Sequence, residues 1–281
     1  MISCRNVSKS FRDHKVLNKI NFDVPEGVIV GLLGPSGAGK TTLIKILTGQ
    51  LLSDEGKVEV MDRDVTKLKG ADKNRFGIMM DQFGFYERFT CSENLKVFAD
   101  IYGIPQSKVT DSLKDVGLEG ASKIKASDLS KGMKARLLLA RALMHSPKII
   151  FLDEPTSGLD PKSMSAIHEI ILKRKKEGCT VFLTTHNMDE AAMLCDNVML
   201  LNEGTIVENG SPEELCRKYN RDKKIKVSLS DGVTKEFKQM GQDKHELADL
   251  ISKGMIETIH SEEPTLETIF LELTGKKLQE D

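Results

Sequence analysis

The residues whose types and spacing could do chemistry begin with a glycine-rich loop. The loop follows an apolar run at 28–33 and precedes an apolar helical face at 43–47, which is the strand, loop and helix context of a P-loop. Glycines let backbone N–H groups turn toward a phosphate, and the helix that follows adds its positive end. We therefore predict a nucleoside triphosphate site formed by Gly34, Pro35, Ser36, Gly37, Ala38, Gly39, Lys40, Thr41 and Thr42.

Two side chains at the end of this loop suit a triphosphate. Lys40 is a compact cation that can reach the β- and γ-phosphates, and the Thr41 hydroxyl can ligate Mg²⁺. The alternative is a glycine-rich turn that happens to precede a helix. The complete spacing and the correct flanks disfavour that alternative.

Further polar side chains stand where predicted strands end. Asp153 and Glu154 follow the buried strand predicted at 149–152, and Gln82 follows the strand predicted at 76–80. Sheets of the α/β class place their ligands at the carboxyl ends of strands. Two adjacent acids repel each other and need a compensating cation, for which Mg²⁺ is the obvious candidate. Taken alone, Gln82 would be interpreted as a solvated loop amide.

Two more residues are ambiguous by themselves. Phe11 lies in a polar loop between two β-like runs, where it is either a minor core residue or an exposed surface that needs a partner. His186 follows the strand predicted at 180–184. The sequence contains no pair of closely spaced histidines with a nearby carboxylate, so it does not indicate a zinc site.

Composition narrows the class of protein. The 281 residues allow one large α/β domain or a domain with a small appendage. The formal net charge of -1 disfavours a protein held on nucleic acid by bulk charge. The five cysteines are scattered without a C-x-x-C pair, which is typical of reduced thiols. No apolar run approaches the roughly 20 residues of a membrane span and no signal peptide is visible, so we expect a cytosolic chain.

The elements that must position these residues predict two domains. Residues 1–219 alternate strands and helices around a parallel sheet. A mainly helical block at about 90–145 is inserted between two strands of that sheet, and the capping box of Thr90 and Glu93 opens it. Beyond a charged linker, residues 220–281 follow a β-β-α-β-α order that suggests a small α+β domain.

Taken together, these motifs resemble the ATP-binding subunit of an ATP-binding-cassette (ABC) transporter across about residues 1–218. The matching motifs occur in order: the P-loop, Gln82, Leu129-Ser-Lys-Gly132, Asp153-Glu154, Ser157-Gly-Leu-Asp160 and His186. The resemblance implies an α/β fold, the P-loop NTPase cassette. Its parts are a RecA-like core, an antiparallel β subdomain and an inserted helical signature subdomain, here with a small C-terminal α+β segment.

The resemblance also implies roles for single residues. Phe11 would stack on adenine, Gln82 would contact Mg²⁺ and the attacking water, and His186 would sense the γ-phosphate. Thr41 and Asp153 would hold Mg²⁺ together with the phosphates and Gln82.

ATP hydrolysis is the activity that the resemblance implies. Phosphoryl transfer passes through a loose transition state, so the protein mainly positions groups and neutralises charge. Glu154, one residue beyond the metal acid, would be the general base for the attacking water.

The signature, residues 129–133, departs from the commonest family form Leu-Ser-Gly-Gly-Gln. Lys131 replaces a glycine and Met133 replaces the glutamine. Ser130 and Gly132 are retained, and in the family their hydroxyl and backbone N–H cradle the γ-phosphate. Because the signature of one family subunit closes the P-loop site of another, the resemblance implies a head-to-tail homodimer around two ATP molecules.

The end of the chain indicates the type of transport. Residues 263–275 are similar to the ending of ATPase subunits from bacterial exporters of the multidrug, antibiotic-resistance and sodium-export kind. The signature resembles that of exporters of antibiotics and antimicrobial peptides. We therefore expect an exporter ATPase with no nucleic-acid partner, peripheral on the inner face of the cell membrane through separate membrane subunits.

An aromatic patch follows Gln82 and consists of Phe83, Phe85, Tyr86 and Phe89. It is either the rim of a small core or a docking face for a helix of a membrane subunit, and we favour docking.

Two other functions compete with export. A soluble ABC ATPase that acts on nucleic acid or the ribosome usually has two cassettes in one chain or a long coiled-coil insertion, and the sequence has neither. An importer ATPase is a nearer alternative, which the C-terminal resemblance disfavours. The transported cargo is selected in membrane subunits and is not encoded here.

Overall fold

The computed structural model describes residues 1–80, 84–221, 224–238 and 243–275. The chain divides into two compact units, residues 1–209 and 210–281. The domain boundary at 219/220 stays a prediction. None of the helices in the described ranges combines the length with the apolar character that a bilayer crossing requires.

The first unit alternates strands and helices as expected. Its strands are β1 (Ile2–Phe11), β2 (His14–Val24), β3 (Ile29–Leu33), β4 (Glu55–Val60), β5 (Arg63–Asp64), β6 (Phe76–Met79), β7 (Ile149–Asp153), β8 (Thr180–Thr185), β9 (Asn197–Asn202) and β10 (Thr205–Gly210). Its helices are α1 (Lys40–Leu47), α2 (Gly70–Lys73), α3 (Cys91–Tyr102), α4 (Lys108–Asp115), α5 (Lys131–Leu143), α6 (Pro161–Lys176) and α7 (Met188–Leu194).

The central sheet has the strand order β10-β9-β3-β8-β7-β6. Strands β3, β6, β7, β8 and β9 are mutually parallel, so their carboxyl ends lie at one edge of the sheet. Every residue of β3, β7 and β8 is buried, as is typical of parallel strands covered on both faces. This order places the ends of β3, β8 and β7 side by side.

Aromatic rings join the two β layers in the core. Phe182 of β8 stacks on Phe22 of β2, with 6.0 Å between ring centroids, and its centroid is 6.1 Å from that of Phe151. The ring of Phe151 in turn meets the edge of Phe76 at 5.6 Å. Side chains of the two layers therefore belong to one apolar cluster.

A second, antiparallel sheet has the order β2-β1-β4-β5. The structure corrects the expectation that Phe11 lies in a loop. Phe11 is the last residue of β1, because its backbone pairs with His14 at the start of β2. Its side chain remains 48% exposed.

The helical block contains α3, α4 and α5. The predicted capping box is present at the start of α3, where Thr90 and Glu93 exchange hydrogen bonds. Helix α5 begins with Ser130 as its N-cap, since Ser130 Oγ accepts a hydrogen bond from Met133 N at 3.3 Å. The signature is therefore the first turn of a buried helix.

The second unit has the element order that the sequence predicts. It consists of α8 (Pro212–Tyr219), β11 (Lys224–Leu229), β12 (Thr234–Lys238), α9 (Asp243–Ser252), β13 (Ile256–Glu262) and α10 (Leu266–Thr274). The strands form an antiparallel sheet in the order β12-β11-β13. A small core packs around Val227, Leu229, Phe237 and Leu250.

Candidate functional site

Three parallel strands bring their carboxyl ends together at the candidate site. Leu33, the last residue of β3, lies opposite Thr185 of β8, and Asp153 of β7 lies opposite Thr184 on the other side of β8. The P-loop leaves β3 at this edge, and α1 begins immediately after it. Residues far apart in the chain are therefore neighbours because the sheet order is β3-β8-β7.

Lys40, the first residue of α1, is 5% exposed. Its Nζ donates hydrogen bonds to Gly34 O at 2.7 Å and Pro35 O at 3.1 Å. The same Nζ lies 3.1 Å from Glu154 Oε1. These three acceptors compensate for the burial of the charge. The loop therefore holds its lysine at the centre of the site.

Asp153 is held by two hydroxyl groups. Its Oδ2 accepts a hydrogen bond from Thr41 Oγ1 at 2.7 Å, and its Oδ1 accepts one from Thr184 Oγ1 at 2.5 Å. Asp153 is 5% exposed and Thr184 is fully buried. The two bonds fix the orientation of the carboxylate toward the P-loop helix.

Glu154 lies between the side chains of Lys40 and His186. Its Oε1 is 3.1 Å from Lys40 Nζ, and its Oε2 is 3.1 Å from His186 Nδ1. Its own backbone N–H donates to Thr184 O at 3.1 Å. The backbone of Glu154 has a φ of +46°, a left-handed conformation that a non-glycine residue adopts at a cost of about 1–3 kcal/mol.

These groups border an open pocket of about 310 Å³. Most of its lining comes from the predicted phosphate loop, and the two acids complete it. The lining residues are Val16, Ser36, Gly37, Gly39, Lys40, Thr41, Thr42, Asp153 and Glu154. The structure thus brings the predicted P-loop, metal acid and base to one cavity.

Gly39 shows why the loop requires glycine. Its φ is +109°, and a Cβ added there would lie 2.8 Å from Leu17 Cδ2 and 2.9 Å from Val16 O. Val16 and Leu17 of β2 therefore pack directly on the phosphate loop. A side chain at position 39 would clash with β2 and push the loop away from it.

The signature residues do not line this pocket. Ser130 caps α5, and Gly132 packs against α6 so closely that an added Cβ would lie 2.2 Å from Ser163 Oγ. Lys131 replaces the family glycine and reaches the loop of residues 157–160. A Cβ added to Gly158 of that loop would lie 2.3 Å from Lys131 Nζ. Phe11 also lies outside the pocket lining. The predicted site residue Gln82 falls outside the described residues.

Sequence reasoning missed the role of Thr184 in holding the site together. Thr184 binds the side chain of Asp153 and accepts from the backbone of Glu154, so it fixes both acids. The signal was present as two consecutive threonines, Thr184 and Thr185, at the end of an otherwise apolar strand. It could be interpreted only after β8 was known to lie beside β7.

The comparisons with known proteins decide the family. The family model described as "ABC transporter" matches residues 17–157. A fluoroquinolone export ATP-binding protein from Mycobacterium tuberculosis is 39% identical over 266 residues, covering 92% of this chain and 87% of the relative. The chain belongs to the ABC transporter ATPase family. It therefore binds nucleotide and is an ATP-hydrolysing enzyme.

Other relatives and solved structures agree with this ABC ATPase assignment. A linearmycin resistance ATP-binding protein from Bacillus subtilis is 29% identical over the full length of both chains. A structure titled as the ATP-binding subunit of an ABC transporter superposes with a TM-score of 0.71 at 26% identity, covering 78% of this chain and 93% of its own. A dimeric ATP-binding cassette with bound ADP and Pi has a TM-score of 0.68 at 26% identity, covering 75% and 98%. The P-loop cassette fold is thus confirmed.

The donor set of this ABC ATPase fits Mg²⁺. Thr41 Oγ1 and Asp153 Oδ2 are hard oxygen donors that already lie 2.7 Å apart at the pocket. Mg²⁺ in proteins is held by one or two carboxylates together with substrate phosphates and water. Among the described residues, no group of three or more acidic, histidine or cysteine side chains is arranged to hold a metal ion.

Proposed function

We propose that this chain is the ATP-hydrolysing subunit of an export pump, in which two copies close head to tail on two ATP molecules with Mg²⁺ and drive separate membrane subunits. The observation that carries the proposal is the contact of Glu154 with both Lys40 and His186 at the border of the P-loop pocket. The names of the relatives, which include export and drug-resistance ATP-binding proteins, support the direction of transport.

Binding of ATP would begin at the phosphate loop. The backbone of 34–42 and the start of α1 present N–H groups to the phosphates, and Lys40 supplies the positive charge. Thr41 and Asp153 are the residues that would hold Mg²⁺, which neutralises phosphate charge when it is bound.

Glu154 is the proposed general base. Its carboxylate borders the pocket and lies one residue after Asp153, where it could accept a proton from an attacking water. His186 contacts Glu154 Oε2, the carboxylate oxygen that does not face Lys40, and is half-buried. In this role His186 orients the base and offers a hydrogen bond to the γ-phosphate.

A second copy of the chain would supply Ser130 and Gly132. These residues lie outside the pocket lining of their own chain, and the pocket is open to solvent. Water exclusion strengthens the electrostatic stabilisation of a phosphoryl-transfer transition state. Closure by the signature of a partner copy therefore explains why the site is incomplete in one chain. ATP would favour the closed state and hydrolysis would release it.

Coupling to the membrane subunits is assigned to the aromatic patch, of which Phe83 lies outside the described residues. Tyr86 and Phe89 are 54% and 40% exposed, and their ring centroids lie 5.2 Å apart. The buried side chain of Asn94 fixes the loop beneath them, because it bonds the N–H and C=O of Tyr86 and the C=O of Phe89. A rigid pair of exposed aromatic rings is suited to anchor a partner helix.

The test is affinity purification of the tagged chain from detergent-solubilised membranes, with mass spectrometry of the bound proteins. We expect a protein with several membrane spans to co-purify with the wild type. The double variant Tyr86→Ala and Phe89→Ala should reduce its yield at least about tenfold, because the loss of a buried aromatic anchor costs about 2 kcal/mol or more, which is about 30-fold in affinity. Met193→Ala is the matched control, since Met193 is an apolar residue 70% exposed on α7.

Two results would contradict the proposal. Ribosomal proteins or nucleic acid in place of a membrane protein would favour the soluble ABC ATPases. Equal yields from the double aromatic variant and from Met193→Ala would remove the patch from the coupling surface.

A further inference from the structure

Behind the site lies a buried carboxylate that none of the roles above uses. Glu190, in the first turn of α7, is 2% exposed. Its Oε1 accepts a hydrogen bond from Thr156 Oγ1 at 2.5 Å and, when His168 carries its proton on Nε2, a second one from that nitrogen at 2.9 Å. Its Oε2 accepts a hydrogen bond from Thr185 Oγ1 at 2.8 Å. Three donors therefore meet on one acid in the interior.

The hydrogen bonds around Glu190 favour its ionised form. Thr185 Oγ1 also accepts a hydrogen bond from Asn187 N at 2.9 Å, so its single proton is directed to Glu190. Burial by itself would raise the pKa of Glu190, but the hydrogen bonds from His168, Thr156 and Thr185 outweigh burial and hold this pKa below its usual range. A carboxylate that only accepts is the form that fits three donors.

The three donors come from three different segments. Thr156 belongs to the loop after β7, two residues beyond Glu154, and Thr185 ends β8, one residue before His186. His168 comes from α6. The contact between Glu154 and His186 spans the same two segments that Glu190 joins through Thr156 and Thr185.

Glu154 needs such support because of its backbone. A non-glycine residue in the left-handed region persists only where its surroundings over-determine it. On one side of Glu154, Thr184 holds Asp153 and the Glu154 backbone. On the other side, Thr156 is tied to Glu190. The base is thus fixed from both directions along the chain.

We propose that Glu190 is a positioning residue for ATP hydrolysis, which keeps Glu154 and His186 in contact by joining the loop of Thr156 to the end of β8. The inference rests on the roles proposed above for Glu154 and His186. Glu190 does not line the nucleotide pocket, so it acts on turnover and leaves the phosphate loop unchanged.

The experiment compares Glu190→Gln with Asp189→Asn in steady-state ATPase assays and in calorimetric titration with ADP. Both variants remove one negative charge from the first turn of α7, but Asp189 is exposed. For Glu190→Gln we expect kcat to fall about 10- to 100-fold, since a misplaced catalytic group costs up to about 100-fold. The Kd for ADP should stay within about twofold of the wild type, because the P-loop is unchanged. Asp189→Asn should leave both values unchanged.

A second pair of variants decides the matter if Glu190→Gln does not fold. Thr156→Ser keeps the hydroxyl that donates to Glu190, whereas Thr156→Val removes it with little change of shape. We expect near-normal kcat for the serine variant and a loss of about tenfold or more for the valine variant. This rescue by the conservative change would not be seen if position 156 served packing alone.

Clear outcomes would overturn the inference. One is a kcat for Glu190→Gln within about twofold of Asp189→Asn, and another is an equal kcat for the two Thr156 variants. A parallel loss of ADP affinity and kcat in Glu190→Gln would indicate a purely structural role and would also overturn it.

Glu154→Gln in the same assays separates this inference from the proposed function. Normal turnover in Glu154→Gln would remove Glu154 from its role as base. A normal kcat in Glu190→Gln alongside an inactive Glu154→Gln would instead reject only the positioning role of Glu190.

Discussion

At the scale of single residues, the site depends on how charges are paired. Lys40 and Glu154 form an ion pair in which the lysine is almost completely buried. A buried charge is costly unless partners compensate it, so removal of Glu154 would leave Lys40 with the carbonyl oxygens of Gly34 and Pro35 as its acceptors. Asp153 does not depend on a charged partner, because its carboxylate accepts hydrogen bonds from the hydroxyls of Thr41 and Thr184.

The first prediction concerns Glu154→Gln. Glutamine keeps the shape of Glu154 but cannot accept a proton, so we expect kcat for ATP hydrolysis to fall by about 100-fold or more. Affinity for ATP should remain within a few fold, since the phosphate loop is unchanged. Single-turnover assays and equilibrium binding measure the two quantities. Turnover at the wild-type rate would show that another group activates the water.

At the scale of elements, one ion-pair cluster ties the helical block to α6. Asp115 at the end of α4 accepts hydrogen bonds from Lys173 Nζ at 3.1 Å and from Arg174 Nη2 at 2.7 Å. Burial by itself would raise the pKa of Asp115, but the hydrogen bonds and charges of Lys173 and Arg174 hold this pKa below its usual range. The cluster therefore favours one placement of the block against the core.

The second prediction follows from the pKa of Asp115. Because its pKa is lower in the folded state, its contribution to stability is present above the unfolded value of about 3.9 and is lost as the pH falls through the folded value. We expect Asp115→Asn to lower the free energy of unfolding at pH 7 by at most about 1 kcal/mol, since the side chain is 38% exposed and solvent screens the pair.

Thermal unfolding followed by circular dichroism measures this effect at neutral and acidic pH. The difference between wild type and Asp115→Asn should disappear at acidic pH. Asp111→Asn is the control, because Asp111 lies on the same helix and pairs with Lys108 at 3.5 Å on the surface. A destabilisation by Asp115→Asn that is the same at every pH would assign the effect to packing instead.

At the scale of the whole molecule, the proposed assembly rests on the separation of the signature from the P-loop pocket. The pocket contains Lys40 and Glu154 but not Ser130, which caps α5 within the helical block. Because a symmetric pair of copies can place two such signatures on two such pockets, the head-to-tail dimer is the arrangement we propose.

The third prediction is complementation between two inactive variants. Lys40→Ala disables the phosphate loop but keeps the signature. Ser130→Asp keeps a residue type that caps helices well and adds a negative charge where a γ-phosphate would contact the partner. We expect each variant alone to lack ATPase activity and their mixture to regain up to about a quarter of the wild-type rate, since half of the random dimers contain one intact site.

Ser130→Asn is the matched control, because asparagine caps the helix without the charge. It should retain far more activity than Ser130→Asp. A mixture of Lys40→Ala and Ser130→Asp that stays inactive would mean that each site is built within a single chain.

Much of the fold could be predicted from local patterns. The strand and helix order was readable because apolar runs of strand length alternate with capped helical patterns, as at α3 and α8. The observed ends of helices and strands differ from the predicted ends by a residue or two. Capping and strand-pairing hydrogen bonds fix these ends, and residue propensity does not. The polar neighbours of Phe11 predict a loop there, and only the pairing with His14 shows that β1 extends to it.

Residue types at fixed spacing along the chain are enough to predict the phosphate loop, the acidic strand end and the family. Only the tertiary structure decided that Thr184 holds Asp153, that Glu154 contacts both Lys40 and His186, and that Glu190 joins the segments behind them. The physical reason is the strand order. Placing β8 between β3 and β7 brings together residues more than 100 positions apart, as in the bond from Thr41 to Asp153 with a separation of 112.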